Sequence, residues 1–479
     1  WLKARLEASF PDGAPWASWA RLGSLSRPEA KLLYAKSCEN GSAMSSANDS
    51  FPAQYGALRA RGAQKGDGAA GAAAPEKPSP TATSSMTATI VNVTKGIVGS
   101  GMLALPVALG DASVVPGMAC MALFAGVAAF SYGLIGYCCA ATGAKTFHGL
   151  WSITVGHSTW AVQGCILMDV FFTLWAYSTL VADFLGKAFQ SLFPGVLILQ
   201  NRCVVLTFIA IFIFAPFCFS RTLDALKFTS ALGLLATVYS LLYVCGDYVV
   251  YGEGLEHFSA NMFDVHLVIF KSISLYAFSF LCHYAAPAVY SELEGRSPRR
   301  FCAVTAWSFA GSFLIYALFA VCGYGRFGPA VEGNVLKNYG EGSHAVLLMW
   351  VAMACSVIFS YPLIFSTLKE NLYGIMGTDE KTASATSRVT IVVLGISSTV
   401  ALGAVFEDAS LIMGICGAGV GSAIEFIFPA MIYLNLPPGA RSKGYGGPGL
   451  LQAASYALIV IGVMACVVGT GATVADAMA

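Results

Sequence analysis

The sequence predicts an all-α membrane protein that crosses the bilayer about eleven times. Of its 479 residues, 56% are hydrophobic and only 11% are charged, and the mean hydropathy is +0.68. Soluble chains carry about 25% charged residues, so the composition argues against soluble enzymes and disordered scaffolds. The formal net charge of +1 offers no basic surface for nucleic acid. The alternating pattern of a membrane β-barrel is missing from the sequence, so helices are the expected spanning elements.

The first 86 residues differ in composition from the rest of the chain. They contain ten Lys and Arg and seven Asp and Glu residues, with runs rich in Gly, Ala, Ser and Pro. Such a segment cannot bury enough apolar surface to offset the entropy of ordering, and it lacks the apolar core of a signal peptide. We therefore predict a disordered N-terminal tail over residues 1–86.

Eleven apolar segments follow, separated by short polar stretches. About 20 helical residues are needed to cross a hydrocarbon layer of about 30 Å. We predict a ten-helix core over residues 87–435 and an eleventh helix at 450–474. The predicted spans are 87–110, 114–141, 160–185, 202–219, 228–250, 265–290, 301–323, 344–366, 389–406, 409–434 and 450–474.

The distribution of Lys and Arg predicts the orientation. With the N-terminus in the cytosol, the tail and inner loops carry twenty-one basic residues and the outer loops carry four. Because cytosolic loops are enriched in Lys and Arg, we expect a cytosolic N-terminus. Two further basic residues, Lys95 and Lys271, lie within predicted spans. Lys271 lies about 9 Å from the outer end of its helix and is expected to snorkel outwards.

The first predicted helix contains the strongest sign of a functional site. Gly96, Gly99 and Gly101 fall within six residues and Pro106 follows five residues later, a combination that favours unwinding near the middle of the membrane. Such a break exposes backbone N–H groups that attract a carboxylate. A second interpretation is that the glycines form a packing face for a neighbouring helix. Composition alone leaves both interpretations open.

Several motifs in order resemble the amino acid/auxin permease family, which includes sodium-coupled neutral, proton-coupled and vacuolar amino acid transporters. The resemblance covers residues 87–434. Its motifs are TKGIVGSGMLALP at 94–106, PFC with RTL and LKFTS within 216–230, FSFLCH with YSEL and RR within 278–300, GY, FG, NVL and NY within 323–339, and IFPA at 427–430.

The resemblance implies a LeuT-like fold of two inverted five-helix repeats plus one extra helix, with substrate bound at breaks in the first and sixth helices. By position, the family implies that the amides of Gly99, Ser100 and Gly101 receive the amino acid carboxylate. Carbonyl groups near Ile97 and Phe278 would receive its ammonium group. Ser279 and Phe280 would face the side-chain pocket, with the sixth helix broken just before Cys282.

Lys95 is the main candidate for ion coupling. It lies about 12 Å into its helix, where a buried amine needs a partner or a function. In sodium-coupled members of the family, a small polar residue at this position helps bind sodium together with a hydroxyl residue of the eighth helix, which corresponds to Ser360. The ammonium group of Lys95 could replace that sodium ion. A purely structural role for Lys95 is the alternative.

Three further ionisable residues of the predicted spans are candidates for ion coupling. Asp169 reaches a depth similar to that of Lys95 and could pair with it, or could bond to hydroxyl or backbone groups. Glu425 departs from the apolar residues expected in the tenth helix and is a candidate proton carrier or a structural carboxyl group. His283 is a possible proton relay, or a neutral ring that satisfies backbone groups freed by the helix break.

These observations predict a secondary active amino acid transporter of alternating-access type, coupled to protons or working as a uniporter. A sodium-coupled neutral amino acid symporter and an amino acid sensor without net transport are the alternatives. The sequence lacks the motifs of serine hydrolases and zinc proteases, so we do not expect an enzyme, a cofactor or a metal site. The expected partners are an amino acid, a proton or sodium ion and lipid, in the plasma membrane or in a vacuolar or lysosomal membrane.

Overall fold

Membrane-spanning helices account for most of the described chain. The computed structural model describes residues 84–478 apart from 157–158, 221–226, 253–255, 265, 379, 381 and 442–447. The tail predicted over residues 1–86 lies outside the described residues except for its last three. Those three lead directly into the first helix, because the side chain of Ser85 accepts a hydrogen bond from the amide of Ala88 and so caps that helix.

Among the described residues, ten helices are long and apolar enough to span a membrane, or eleven when the bent pair at the start counts as one span, which confirms the predicted all-α architecture. The first span consists of α1a, Met86–Ile97, and α1b, Ser100–Ala112. The sixth consists of α6a, Ile269–Phe280, and α6b, Ala286–Glu292. The others are α2, Val114–Thr142; α3, Thr159–Leu192; α4, Arg202–Phe219; α5, Lys227–Tyr251; α7, Pro298–Phe327; α8, His344–Ile375; α9, Ala385–Val405; α10, Ala409–Leu434; and α11, Gly449–Asp476.

Several helices continue beyond the apolar segments that predicted them. α8 was expected to end at residue 366 but runs to Ile375. The extension is stabilised by Lys369, whose amine lies 2.8 Å from a carboxylate oxygen of Glu380 and donates to the carbonyl of Cys218 at 3.2 Å. A hydropathy pattern marks the hydrocarbon layer, whereas a helix ends only where its backbone loses partners.

α3, α7 and α8 make the most extensive contacts with other helices. α3 packs along α8 and α9, and α8 also packs along α5. α7 packs along α2 and α1a, while α6a packs against α1b. Between α4 and α8, the rings of Phe214 and Tyr361 stack at 3.8 Å between centroids, and the Tyr361 hydroxyl lies 2.6 Å from that of Thr399 in α9. These contacts join α4, α8 and α9 at buried positions.

Ion pairs join helix ends on the side predicted to face outwards. Arg202 at the start of α4 lies 2.7 Å from Asp183 in α3. Lys271 in α6a lies 3.1 Å from Asp111 at the end of α1b and 2.8 Å from Asp476 in α11. The amine of Lys271, which was expected to snorkel outwards, is therefore met by two carboxylates at this end of the protein. The pairs tie α1b, α6a and α11 together at this end.

Candidate functional site

α1 is broken in the middle of its glycine-rich segment. The last hydrogen bond of α1a runs from the amide of Val98 to the carbonyl of Thr94, at 2.7 Å, and the first bond of α1b runs from Met102 to Gly99, at 3.3 Å. The two halves are bent by 47°. The first N–H groups of a helix have no intrahelical acceptor, so the amides of Ser100 and Gly101 are available at the start of α1b.

α6 is broken at the position that the family resemblance implies. α6a ends at Phe280, Leu281 adopts an extended conformation, and a short 3-10 turn over His283–Ala285 leads into α6b. Pro287, near the start of α6b, has no amide N–H and cannot donate a hydrogen bond to the preceding turn. The break therefore lies at Leu281 and Cys282, in the middle of the bundle.

The two breaks lie side by side because Gly101 has no side chain. A Cβ atom at Gly101 would lie 3.0 Å from the hydroxyl oxygen and 3.3 Å from the Cα atom of Ser279. Nothing lies within 4 Å of such an atom at Gly96, and Gly99 would meet only the carbonyl of Ile97, at 3.9 Å. Each interpretation of the glycines therefore applies to a different part of the segment. Gly101 permits close packing, whereas the chain around Gly99 unwinds.

Tyr316 connects the two breaks. Its fully buried side chain extends from α7, and its hydroxyl is within bonding distance of the carbonyl oxygens of Ile97, at 2.6 Å, and Ser279, at 3.0 Å. The backbone of Gly99 also bonds with this hydroxyl. Sequence reasoning missed Tyr316, although a phenol in the middle of an apolar helix needs a partner when buried.

The other residues predicted to bind substrate lie around the two breaks but make different contacts. The Ser279 hydroxyl donates to the carbonyl of Leu275 at 2.8 Å, and the carbonyl of Phe278 accepts the amide of Leu281 at 3.3 Å. Phe280 is fully buried against α7, with its ring 5.2 Å from that of Tyr316. From the opposite side, Tyr177 of α3 bonds with the side chain of Ser100. The breaks are therefore lined by α1, α3, α6 and α7.

Lys95 and Ser360 are not joined to each other. Lys95 is half-buried in α1a and makes no hydrogen bond or ion pair with any described residue. The Ser360 hydroxyl donates to the carbonyl of Ser356 in its own helix, at 2.8 Å. Asp169 does not pair with Lys95 either, since its carboxylate accepts the Cys416 thiol at 3.2 Å.

Glu425 and His283 are fully buried near the second break. Neither carboxylate oxygen of Glu425 has a hydrogen-bond partner among the described residues. The Nε2 atom of His283 lies 2.8 Å from the hydroxyl of Ser131 and 3.0 Å from the carbonyl of Ala128, both in α2. His283 thus bonds to a neighbouring helix rather than to groups freed by its own break. Within the described chain, no three His, Cys, Asp or Glu side chains are grouped as a metal site.

Comparison with known proteins decides the family. A family model described as transmembrane amino acid transporter protein matches residues 82–475. The chain belongs to this family. The resemblance found in the sequence motifs is therefore confirmed.

Relatives of this amino acid transporter family member occur in animals, fungi and plants. Human solute carrier family 38 member 8 is 26% identical over 74% of this chain and 87% of its own length. Vacuolar amino acid transporter 2 of Saccharomyces cerevisiae is 22% identical over 82% of this chain and 84% of its own. Amino acid transporter AVT6E of Arabidopsis thaliana is 24% identical over 80% and 81%.

Two solved structures share the fold of this transporter family member. MhsT in complex with L-phenylalanine aligns with a TM-score of 0.50 at 13% identity, covering 83% of this chain and all of that one. Mhp1 in an inward-facing conformation aligns with a TM-score of 0.53 at 13% identity, covering 86% and 96%. The LeuT-like fold is therefore confirmed, while the roles of individual residues remain predictions.

Proposed function

We propose that this protein is a secondary active amino acid transporter that works by alternating access and binds its substrate between the broken helices α1 and α6. The observation that supports this most directly is the position of the Ser100 and Gly101 amides. They lie at the start of α1b, directly beside Ser279 of α6a. Helix N-termini attract anions through their free N–H groups and the helix dipole.

The carboxylate of an amino acid would bind these two amides, with the Tyr177 hydroxyl nearby. Its ammonium group would bind the carbonyl oxygens of Ile97 and Phe278 at the C-terminal ends of α1a and α6a. Each carbonyl has two lone pairs, so the existing bonds from Tyr316 and Leu281 leave capacity for a second donor. Both helix dipoles then favour the charges of a zwitterion.

The proposed coupling is to protons, or the protein is a uniporter. Lys95 supports this because a positive amine in α1a would repel a sodium ion from the same place. A relative from Danio rerio is named as a putative sodium-coupled neutral amino acid transporter, 22% identical over 81% of this chain, so sodium coupling is the second candidate. An amino acid sensor is the third, and it would bind substrate without moving it.

We also propose that the N-terminus is cytosolic and that the protein resides in the plasma membrane or in a vacuolar or lysosomal membrane. The basic residues on inner loops support the orientation. Relatives include a protein named for the vacuole, which supports the second location. Epitope accessibility in intact and permeabilised cells tests both points.

The test of function is uptake into liposomes that contain the purified protein. A competition panel of amino acids is run at two pH values, with and without sodium. Proton coupling predicts accumulation driven by a pH gradient in sodium-free buffer. Uptake that requires sodium and ignores pH would refute the proton proposal, and substrate binding without any uptake would favour the sensor.

A further inference from the structure

Glu425 lies in a part of α10 with unusual backbone geometry. Two π-helical segments, Gly417–Gly421 and Ala423–Ile427, interrupt this helix on either side of Ser422. π-helical turns are rare and frequently mark functional sites. Glu425 is in the second of them, fully buried, with both carboxylate oxygens unpartnered among the described residues.

Asp169 of α3 is the charged residue that interacts electrostatically with Glu425. Asp169 is 3% exposed, and α3 packs against the π-helical segment that contains Glu425. The Cys416 thiol donates to Asp169. No described Lys or Arg forms an ion pair with either group. The ion pairs made by α3, and those made by α6a and α11 beside α10, lie at helix ends.

The remaining titratable groups around the pair are neutral in character. α10 packs against α2, α3, α11 and the turn of α6. α3 provides the Cys165 thiol, α11 the Cys466 thiol beside it, and the α6 break provides Cys282 and Tyr284. His283 is directed at Ser131 and Ala128 of α2, and Tyr132 of α2 packs on its ring. The carboxyl pair is thus without a cationic partner on all of these elements.

This arrangement determines what the pair can bind. An ionised carboxylate costs several kcal/mol to bury without a partner, and two carboxylates that share a site do not both ionise readily. A proton neutralises Glu425 without needing any cavity, because it forms an O–H bond on an oxygen that is already present. The pair would therefore take up a proton when the helices close around it and release the proton when they part.

The pair is also connected to the substrate site. A Cβ atom at Gly417 would lie only 2.1 Å from the carbonyl oxygen of Ser274 and 2.7 Å from the amide nitrogen of Phe278. The backbones of α10 and α6a are therefore in direct contact next to the α6 break. The segment that contains Glu425 also contacts the turn His283–Ala285. Movement of α6 at the break would consequently change the surroundings of Glu425.

We propose that Asp169 and Glu425 together form the site that binds the transported proton. The inference rests on the proposed transport function and specifies where its driving ion binds. It assigns the proton to α3 and α10, and leaves Lys95 as a fixed positive charge and His283 as a neutral ring bonded to α2. The reaction is the protonation of a carboxylate to a carboxylic acid, with no other bond made or broken.

The test compares Glu425→Gln and Asp169→Asn with the wild type in liposomes, with the membrane potential clamped at zero. Coupling of one proton to one substrate gives about tenfold accumulation for each unit of pH gradient. The wild type should reach this value, whereas both variants should fall to equal concentrations on the two sides while still exchanging labelled substrate above protein-free liposomes. Glu341→Gln, in an exposed loop, is the matched control and should accumulate substrate like the wild type.

The outcomes separate the two levels of the proposal. A wild type that fails to accumulate substrate in a pH gradient refutes proton coupling itself. A wild type that accumulates substrate, with Glu425→Gln and Asp169→Asn that do so equally well, refutes the assignment of the proton to this pair and leaves proton-coupled transport intact.

A second measurement does not depend on the variants folding. Exposed carboxyl groups are ionised at neutral pH, so an infrared band of a protonated carboxylic acid in purified wild-type protein must come from buried groups. The proposal requires such a band at neutral pH, shifted on transfer to deuterated water. Its absence from the wild type would overturn the proposal.

Discussion

The hydroxyl of Tyr316 donates to the carbonyl oxygen of Ile97, the last residue of α1a, at 2.6 Å. The same hydroxyl reaches the carbonyl of Ser279 at 3.0 Å, one residue before the end of α6a. A hydroxyl has only one hydrogen to donate, so the two carbonyls share it. Tyr316 therefore holds the ends of two broken helices at a fixed separation.

Removing this hydroxyl should weaken substrate binding. In Tyr316→Phe the ring stays, but two helix ends lose a shared buried donor, at a cost of about 1–3 kcal/mol for each unsatisfied group. We expect the KM of uptake to rise, with maximal velocity also reduced. Tyr239→Phe is the control, because that hydroxyl donates to the Ala345 carbonyl at 3.0 Å, between α5 and α8. Equal effects of the two substitutions would contradict a specific role for Tyr316.

Gly101→Ala should impair transport more than Gly96→Ala. The added methyl group would press on the hydroxyl and Cα atoms of Ser279, at 3.0 and 3.3 Å, whereas Gly96 has open space around it. Overpacking typically costs about 1–3 kcal/mol, here at the junction of the breaks. Initial rates of uptake, normalised to the amount of reconstituted protein, measure the difference. Wild-type rates in Gly101→Ala would show that the two helices need not be so close.

Lys95→Asn should make uptake respond to sodium. If the ammonium group replaces a sodium ion, a neutral polar side chain leaves room for that ion and removes the repulsion. Uptake by Lys95→Asn is measured in sodium and in choline buffers. Lys187→Asn, near the C-terminal end of α3, is the control. A variant that shows no sodium response and merely lower expression would indicate that Lys95 is structural.

Arg202→Ala should destabilise the protein strongly. Arg202 lies 2.7 Å from Asp183, whose side chain is only 3% exposed, and it also donates to the carbonyl of Gly403 at 2.8 Å. Removing one partner of a buried pair costs about 3–5 kcal/mol. Thermal unfolding in detergent is the measurement. Glu332→Gln is the control, because Glu332 has a 47% exposed side chain and pairs with Lys337 at 3.4 Å. It should change stability by less than about 1 kcal/mol. Similar losses in both variants would contradict the expectation.

The spanning helices and the break in α1 could be predicted because they depend on local composition, whereas the break in α6 was implied only by the family resemblance. Apolar length set the spans, and Gly96, Gly99 and Gly101 marked the unwinding of α1. Hydropathy could not predict that α8 continues to Ile375, because the extension depends on the partner that Lys369 finds in another segment. The end of an apolar run is not the end of a helix.

The contacts between breaks could not be predicted, because they join residues far apart in the chain. Tyr316 lies 219 positions from Ile97, and Cys416 lies 247 positions from Asp169. The sequence identified Asp169 and Glu425 as unusual because charge is costly in a membrane, but it left open whether Asp169 pairs with Lys95 or bonds to hydroxyl or backbone groups. The partner in the structure is the Cys416 thiol, which the packing of α3 against α10 brings to Asp169.

The free amine of Lys95 has an electrical consequence. The membrane voltage does work on net charge, about 2.3 kcal/mol for one charge moved across 100 mV. Ion pairs such as Arg202 with Asp183 move as neutral units, whereas Lys95 has no counter-ion among the described residues. A protonated Lys95 lies in α1a, the segment that ends at the first break. Every tilt of that segment therefore carries an electrical energy, so Lys95 should add to the dependence of the transport cycle on membrane potential.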